Sequence, residues 1–329
     1  MNPTLPYPWA VDALRAAARV TRAVQQAHMT QALAKADHSP VTAADFAAQA
    51  VIAAALAKHD PHTPLVAEED AATLEAAPPA VQRHVLLAVR HVHPRATWRD
   101  IMAWIAQGHG APRGRFWVLD PVDGTKGFLR GAQYATALAL VEDGKVTWGG
   151  LACPNLTLAD HAPPGVLAVA ARGRGAWAAG MQPGPWKPLH VSPVDDPREA
   201  RILRSYEAAH THGDAIRQLA RVLGTSRSPV RLDSQAKYVL LAAGQGEIYL
   251  RIPPRLQPNY REKIWDQAAG ALLVEEAGGK VTDLDGCPLD FSRGLTLACN
   301  RGVLATNGPL HTLVLHALRR AGIRRERPA

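Results

Sequence analysis

Apolar residues recur at helical spacing from about Ala10 to Ala34, with Val11, Leu14 and Ala18 on one face, which predicts a long helix in an alanine-rich stretch. The polar break Lys35-Ala-Asp-His-Ser-Pro40 ends it. A second helix is expected over about Ala43–Lys58, stopped by Asp60-Pro61. Leu65-Val-Ala67 reads as a short buried strand running into Glu68-Glu69-Asp70, and Phe116-Trp-Val-Leu119 as a second strand ending in Asp120. Residues 71–113 read as helices and loops without a definite order. Alternation in Tyr134–Val141 and Lys145–Leu151 flanks Asp143-Gly144, a pair that tolerates the positive φ of a tight turn, so a hairpin is predicted. Val166–Ala170 and Ala176–Ala179, around Gly173-Arg-Gly175, predict another. Past Lys187–Pro193 the pattern becomes mixed, with a strand at Glu247–Ile252, a helix at about Asp266–Ala277 and a last helix after Pro309. The chain thus divides into an N-terminal α+β half, residues 1–188, and a C-terminal α/β half, residues 189–329.

Composition narrows the classes. With 329 residues, 47% of them hydrophobic and 20% charged, the chain can bury a sizeable core, which excludes wholesale disorder. The net charge of +8 favours anionic partners, but Arg319, Arg320, Arg324, Arg325 and Arg327 crowd the C-terminus and supply much of the excess. Aromatic residues are only 5%, and no nucleic-acid motif accompanies the basic tail, so a nucleic-acid-binding protein is the disfavoured alternative. Three scattered cysteines (Cys153, Cys287, Cys299) build neither a disulfide framework nor a zinc site. The sequence shows no signal-peptide pattern and no apolar run of membrane-spanning length, which places the expectation in the cytoplasm, without a membrane partner and as a monomer or homodimer.

The chemistry concentrates in acids at element ends. Asp120-Pro-Val-Asp123-Gly-Thr125 sets two carboxylates and a hydroxyl directly after a buried strand. A turn aiming Asp120, the Val122 carbonyl and Asp123 at one point would offer three oxygens to a hard cation such as Mg²⁺; an ordinary Asx turn would use the same residues. Glu68-Glu69 could be solvated loop, Thr42-x-x-Asp45 a capping box, and Asp266 an acid favouring the positive end of the following helix.

Together these segments resemble a known family. Asp120-Pro-Val-Asp-Gly-Thr-Lys-Gly-Phe128 and Trp265-Asp-Gln-Ala-Ala-Gly270 are similar to the two signatures of the lithium-sensitive inositol monophosphatase superfamily, with Ser39-Pro-Val-Thr42, Asp45 and Val66-Ala-Glu-Glu69 in the right order. Within it, Thr125-Lys-Gly-Phe128, Ser205-Tyr-Glu-Ala-Ala-His210, Asp233-Ser-Gln-Ala-Lys-Tyr238, Glu247-Ile-Tyr-Leu-Arg-Ile252 and Glu262-Lys-Ile-Trp-Asp266 resemble the 3'(2'),5'-bisphosphate nucleotidase branch. The resemblance implies a five-layer α/β/α/β/α sandwich of the inositol monophosphatase and fructose bisphosphatase type. It implies Mg²⁺-dependent, Li⁺-inhibited removal of the 3'-phosphate of adenosine 3',5'-bisphosphate to give AMP, and of the corresponding sulfated nucleotide. Two or three Mg²⁺ ions would be held by Glu68, Asp120, the Val122 carbonyl, Asp123 and Asp266. Asp45 and Thr125 would orient and deprotonate water, amides near Gly124 and Thr125 would meet the phosphate, and His210, Ser234, Lys237 and Arg251 would contact the nucleotide and its retained 5'-phosphate. Inositol phosphates and histidinol phosphate are the alternative substrates within the superfamily. Two departures stand out: Ala67 where many members carry Gly, and a Pro253–Arg261 segment about two residues longer than in the fungal enzymes.

Overall fold

The computed structural model describes residues 4–27, 32–34, 40–159, 163–206, 213–253 and 260–323. Helix α1 (Pro8–Gln26) opens with Pro8, whose fixed φ suits a first helical turn. It is shorter than its alanine-rich run predicts. Leu33–Ala34 forms strand β1, paired antiparallel with β2 (Pro40–Val41). Leu33 packs against the apolar cluster around α1, and this tertiary contact with backbone pairing overrides local helix propensity. Helix α2 (Ala43–His59) is apolar on all sides and buried along most of its length.

The first sheet has seven strands in the order β3-β4-β5-β6-β7-β8-β9. These are β3 (Leu65–Ala67), β4 (Arg115–Asp123), β5 (Ala135–Glu142), β6 (Lys145–Cys153), β7 (Val166–Ala171), β8 (Ala176–Gly180) and β9 (Lys187–Leu189). Both predicted hairpins are present, the first turning at Asp143 and Gly144 with φ of 49° and 76°. The stretch without a definite order in sequence holds α3 (Ala71–Glu75), α4 (Pro79–Arg90) and α5 (Trp98–Ala106). A short α6 (Thr125–Leu129) follows β4.

The second sheet, absent from the sequence reading except for one strand, has the order β11-β10-β12-β14-β13. Its strands are β10 (Ile202–Arg204), β11 (Val230–Arg231), β12 (Ile248–Arg251), β13 (Lys280–Thr282) and β14 (Val303–Thr306). Helices α7 (Gly213–Leu223), α8 (Ala236–Ala242), α9 (Ala268–Glu276) and α10 (His311–Arg320) complete the chain.

The period-two alternation of the strands sorts the layers. Trp117, Leu119, Leu138, Leu140 and Trp148 pack on α1 and α2, while Val118, Ala137, Ala139, Leu151 and Ala168 face α8 and α9. On the second sheet, Leu203, Tyr249, Val303 and Ala305 turn to α8 and α9, and Ile202, Ile248, Leu250 and Leu304 turn to α7 and α10. Helices, sheet, helices, sheet and helices therefore stack in five layers. Loops from both sheets meet around the start of α8 and α9. No helix among the described residues is long and apolar enough to cross a membrane.

Candidate active site

In a regular strand, residues three apart point to opposite faces, so Asp120 and Asp123 could not share a site. The pairing with β5 corrects this: Asp120 opposes Ala137 and Asp123 opposes Ala135, which leaves one extra residue on β4. Such a bulge re-phases the strand and brings both carboxylates to one end of it. Thr136 Oγ1 donates to the Pro121 carbonyl at 2.8 Å and satisfies the backbone within the bulge. Thr125 Oγ1 donates to the Val122 carbonyl at 3.1 Å. Between them, Gly124 turns the chain with φ of 86°, and a Cβ there would lie 2.9 Å from Ser234 Cβ, so only glycine fits.

The other acids arrive from separate elements. Glu68 follows β3, whose parallel pairing with β4 is extended by the Glu68 N–H donating to the Leu119 carbonyl at 3.2 Å. Gln49 on α2 fixes the next residue twice: its Oε1 accepts from the Glu69 N–H at 3.0 Å, and its Nε2 donates to the Glu69 carbonyl at 2.6 Å. Ala67, the departure from the family pattern, is accommodated by Gly108, where a Cβ would come within 3.0 Å of the Ala67 methyl. Asp45 is the capping-box residue of α2, its Oδ2 accepting from Thr42 N at 2.8 Å and Thr42 Oγ1 at 2.7 Å. The cap also delivers Asp45 to the site, within electrostatic reach of Asp120. Asp266 precedes α9.

These carboxylates act on one another. Burial pushes the Asp120 carboxyl well above the usual range, and the negative charges of Glu68, Asp123, Asp266 and Asp45 push it further. Burial also raises Asp123, against the pull of Lys237 and Arg251. Asp266 is raised by burial in spite of Arg251, with Asp123, Glu262 and Glu68 adding to the rise. Among the described residues no three acid, histidine or cysteine side chains already stand in metal-holding positions. The hydrogen bonds supply a reason. Asp266 Oδ2 is drawn to Arg251 Nη2 at 3.2 Å, and Asp123 Oδ2 accepts from the Gln235 N–H at 2.5 Å.

Asp120 Oδ1 is buried and has no hydrogen-bond partner. A buried carboxylate oxygen without a donor, among four further carboxylates, is costly unless a cation approaches it. All these donors are hard oxygens, the set that Mg²⁺ prefers. The residues present therefore fit a divalent cation, with one oxygen each of Asp123 and Asp266 already engaged by Gln235 and Arg251.

The expected nucleotide contacts are placed unevenly. His210 lies outside the described residues, as do Arg324, Arg325 and Arg327. Ser234 stands beside Gly124 with φ of 67°. Lys237 is buried at 1% exposure, and its Nζ already donates to the carbonyls of Leu232 at 3.0 Å and Ser234 at 2.7 Å. Burial pulls that ammonium down to about 8, with Asp123 opposing the shift. Arg251 is held by Glu262, Nε at 2.9 Å and Nη2 at 2.7 Å. Sequence reasoning gave no role to Gln49, Gln235, Glu262 or Gln267, all of them buried. Gln235 alone ties three segments, since its N–H meets Asp123, its Nε2 donates to Trp265 O at 3.0 Å, and its Oε1 accepts from Gly270 N at 3.3 Å.

Comparison with known proteins gives the family and the fold. The sequence profile of the inositol monophosphatase family matches residues 7–322. A 3'(2'),5'-bisphosphate nucleotidase of Oryza sativa is 42% identical over 95% of this chain and 93% of its own length. That of Schizosaccharomyces pombe is 38% identical over 94% and 93% respectively. Among solved structures, an IMPase of Thermotoga maritima superposes with a TM-score of 0.67 at 22% identity, covering 96% of this chain and 98% of its own. SuhB of Mycobacterium tuberculosis superposes with a TM-score of 0.61 at 23% identity, covering 98% and 99%. At these identities the structural likeness speaks for the fold.

Proposed function

The chain belongs to the inositol monophosphatase family and is a phosphatase, and from that premise we propose that it removes the 3'-phosphate of adenosine 3',5'-bisphosphate in a divalent-cation-dependent reaction, and also acts on the corresponding sulfated nucleotide. The cation requirement rests on one observation above the others: the donorless, buried Asp120 Oδ1 among mutually repelling carboxylates. The choice of a bisphosphorylated nucleotide rests on the names of the relatives, together with the motif run from Asp233 to Asp266.

Glu68, Asp120, the Val122 carbonyl, Asp123 and Asp266 hold the cations in this reading. Bound there, Mg²⁺ supplies charge neutralisation for the transferred phosphoryl oxygens and lowers the pKa of water. Thr125 Oγ1, fixed on the Val122 carbonyl, orients the attacking water, and the Asp45 carboxylate takes up its proton. The turn at Gly124–Thr125 presents backbone amides to the phosphate. Arg251 meets the retained 5'-phosphate as a charge-assisted donor. Lys237, with Nζ directed at two carbonyls, supports the same phosphate through its charge and through the shape of the Ser234 turn.

The test is phosphate release from adenosine 3',5'-bisphosphate, inositol 1-phosphate, histidinol phosphate and fructose 1,6-bisphosphate, each with Mg²⁺ and with EDTA. The proposal expects the nucleotide to be turned over fastest and EDTA to abolish all release. Faster turnover of inositol 1-phosphate or histidinol phosphate would overturn the substrate assignment, and EDTA-resistant turnover would overturn the cation requirement.

A further inference from the structure

Arg251 and a divalent cation compete for the same carboxylate, Asp266, and a third residue stands behind the competition. We infer that Glu262 is a positioning residue of the cation site, which sets, through Arg251, how strongly Asp266 can engage a divalent cation. The inference rests on the cation reading above and adds a residue to which nothing in the family signatures assigns a task.

The geometry is a chain of five residues, of which all but Asp266 are buried. Arg251 Nε and Nη2 both donate to Glu262 Oε2, at 2.9 and 2.7 Å, and the same Nη2 reaches Asp266 Oδ2 at the longer distance of 3.2 Å. Glu262 Oε2 also accepts from Gln267 Nε2 at 3.0 Å, and Gln267 Oε1 accepts from Tyr238 Oη at 2.6 Å. Glu262 is 3% exposed, Arg251 8%, and Gln267 and Tyr238 0%, so solvent screens this network little. The pair is also framed by structure that cannot yield easily. Arg251 ends β12 against β14, and Gln267 immediately precedes the first turn of α9, next to Asp266.

Two consequences follow from charge alone. Glu262 takes two of the guanidinium's donors and thereby keeps most of its positive charge away from Asp266. Replacing it with an isosteric neutral amide leaves Asp266 as the ionised partner within hydrogen-bond reach of Arg251, and removes a negative charge from the neighbourhood of the incoming cation. Both changes disfavour cation binding. Removing Arg251 as well relieves the competition at Asp266, so the double variant recovers affinity. A Glu262 that served only to fill and satisfy the core would instead alter stability and leave the affinity of the folded protein unchanged.

The experiment is calorimetric titration of the metal-stripped full-length chain with Mg²⁺, without substrate, on wild type, Glu262→Gln, Glu262→Asp and the double variant Glu262→Gln/Arg251→Gln. Partners standing behind metal ligands are worth about 10–100-fold in metal affinity, and Glu262→Gln is expected to weaken Mg²⁺ binding by that factor. Glu262→Asp retains the charge and is expected to stay near wild type. The double variant, which takes the guanidinium away from Asp266, is expected to bind at least about tenfold more tightly than Glu262→Gln, following the same scale. Equal Mg²⁺ affinity in wild type and Glu262→Gln, or no recovery in the double variant, would overturn the inference. If Glu262→Gln fails to fold, Glu262→Asp and the double variant decide it: loss of affinity in the charge-retaining variant would overturn it. A wild-type chain that takes up no Mg²⁺ fails the cation reading itself, which is a separate outcome.

Discussion

Asp120→Asn should make the metal-free protein more stable while removing its activity. The wild-type carboxylate is 2% exposed, its Oδ1 has no donor, and four negative neighbours raise its free energy. Asparagine keeps the shape, discards the charge and offers an N–H₂ to the surrounding carboxylates. An unsatisfied buried polar group costs about 1–3 kcal/mol, more when charged, so the substitution should stabilise the protein by about 2 kcal/mol in EDTA at neutral pH. For a chain of this size that is about 4 °C in Tm, at roughly 2 °C per kcal/mol. Mg²⁺ should reverse the order. Ligand at a hundred times its Kd stabilises by about 2.7 kcal/mol, a gain that wild type receives and the variant loses. Thermal unfolding in EDTA and in saturating Mg²⁺, on both proteins, gives the four numbers. A variant less stable than wild type in EDTA would refute the reasoning, because the carboxylate would then be satisfied in a way the geometry denies.

Three further outcomes are expected. Gly270→Ala should cost about 3 kcal/mol, at the upper end for overpacking: its Cβ would lie 2.1 Å from Tyr238 Cδ2, and that ring is pinned by the bond from its hydroxyl to Gln267. Urea denaturation measures this, and a near-neutral result would show that the ring can move. Li⁺, similar to Mg²⁺ in size with half its charge, should inhibit phosphate release at fixed Mg²⁺, and indifference to millimolar-scale LiCl would count against Asp120 and its neighbours as the cation site. His311, 1% exposed between Thr282 Oγ1 and Thr306 Oγ1, has its pKa pulled down to about 4, first by burial and then by Lys280. The unfolded state therefore binds the extra proton between about pH 6.5 and 4, and stability falls as pH drops through that window, by about 3 kcal/mol in all at 1.36 kcal/mol per pH unit. Urea midpoints for His311→Asn should show a correspondingly flatter slope from pH 7 to 5 than wild type, and parallel slopes would remove the histidine from the account.

What could be read in the sequence was whatever local chemistry decides. Asp143-Gly144 demands positive φ, so its hairpin was legible from two residues. Glu68 and Asp120 were legible because each directly follows a run that is apolar on both faces, although β4 continues through its bulge to Asp123. The second sheet was hidden for the opposite reason. Its strands are two to four residues long, and pieces such as Ile202–Arg204 and Val230–Arg231 carry no period; the first becomes a strand through partners at Ile248 and Tyr249, and the second through Leu203 and Arg204, all far along the chain from the residues they pair. Lys237 and Arg251 were legible as cations but not in their commitments, because a phosphate-binding arginine and an arginine clamped by Glu262 look alike in one dimension.

The residues to which the sequence reading gave no role are chiefly glutamines, and their chemistry explains both their silence and their use. A site of five carboxylates has to be held by ties that neither add repulsion nor neutralise the charge that attracts a cation. A lysine tie would compete with the metal, as Arg251 does at Asp266, and a further acid would raise the repulsion. An amide side chain carries donor and acceptor together with no net charge. Gln49 uses both on the backbone of Glu69, next to Glu68. Gln235 uses both between Trp265 and Gly270, while its own N–H fixes Asp123. Gln267 uses both between Tyr238 and Glu262. Gln49 and Gln235 thus sit one tie behind acids that the sequence did announce, and Gln267 stands behind Glu262, which it did not, so the visible charges of the site depend on neighbours that only the folded arrangement reveals.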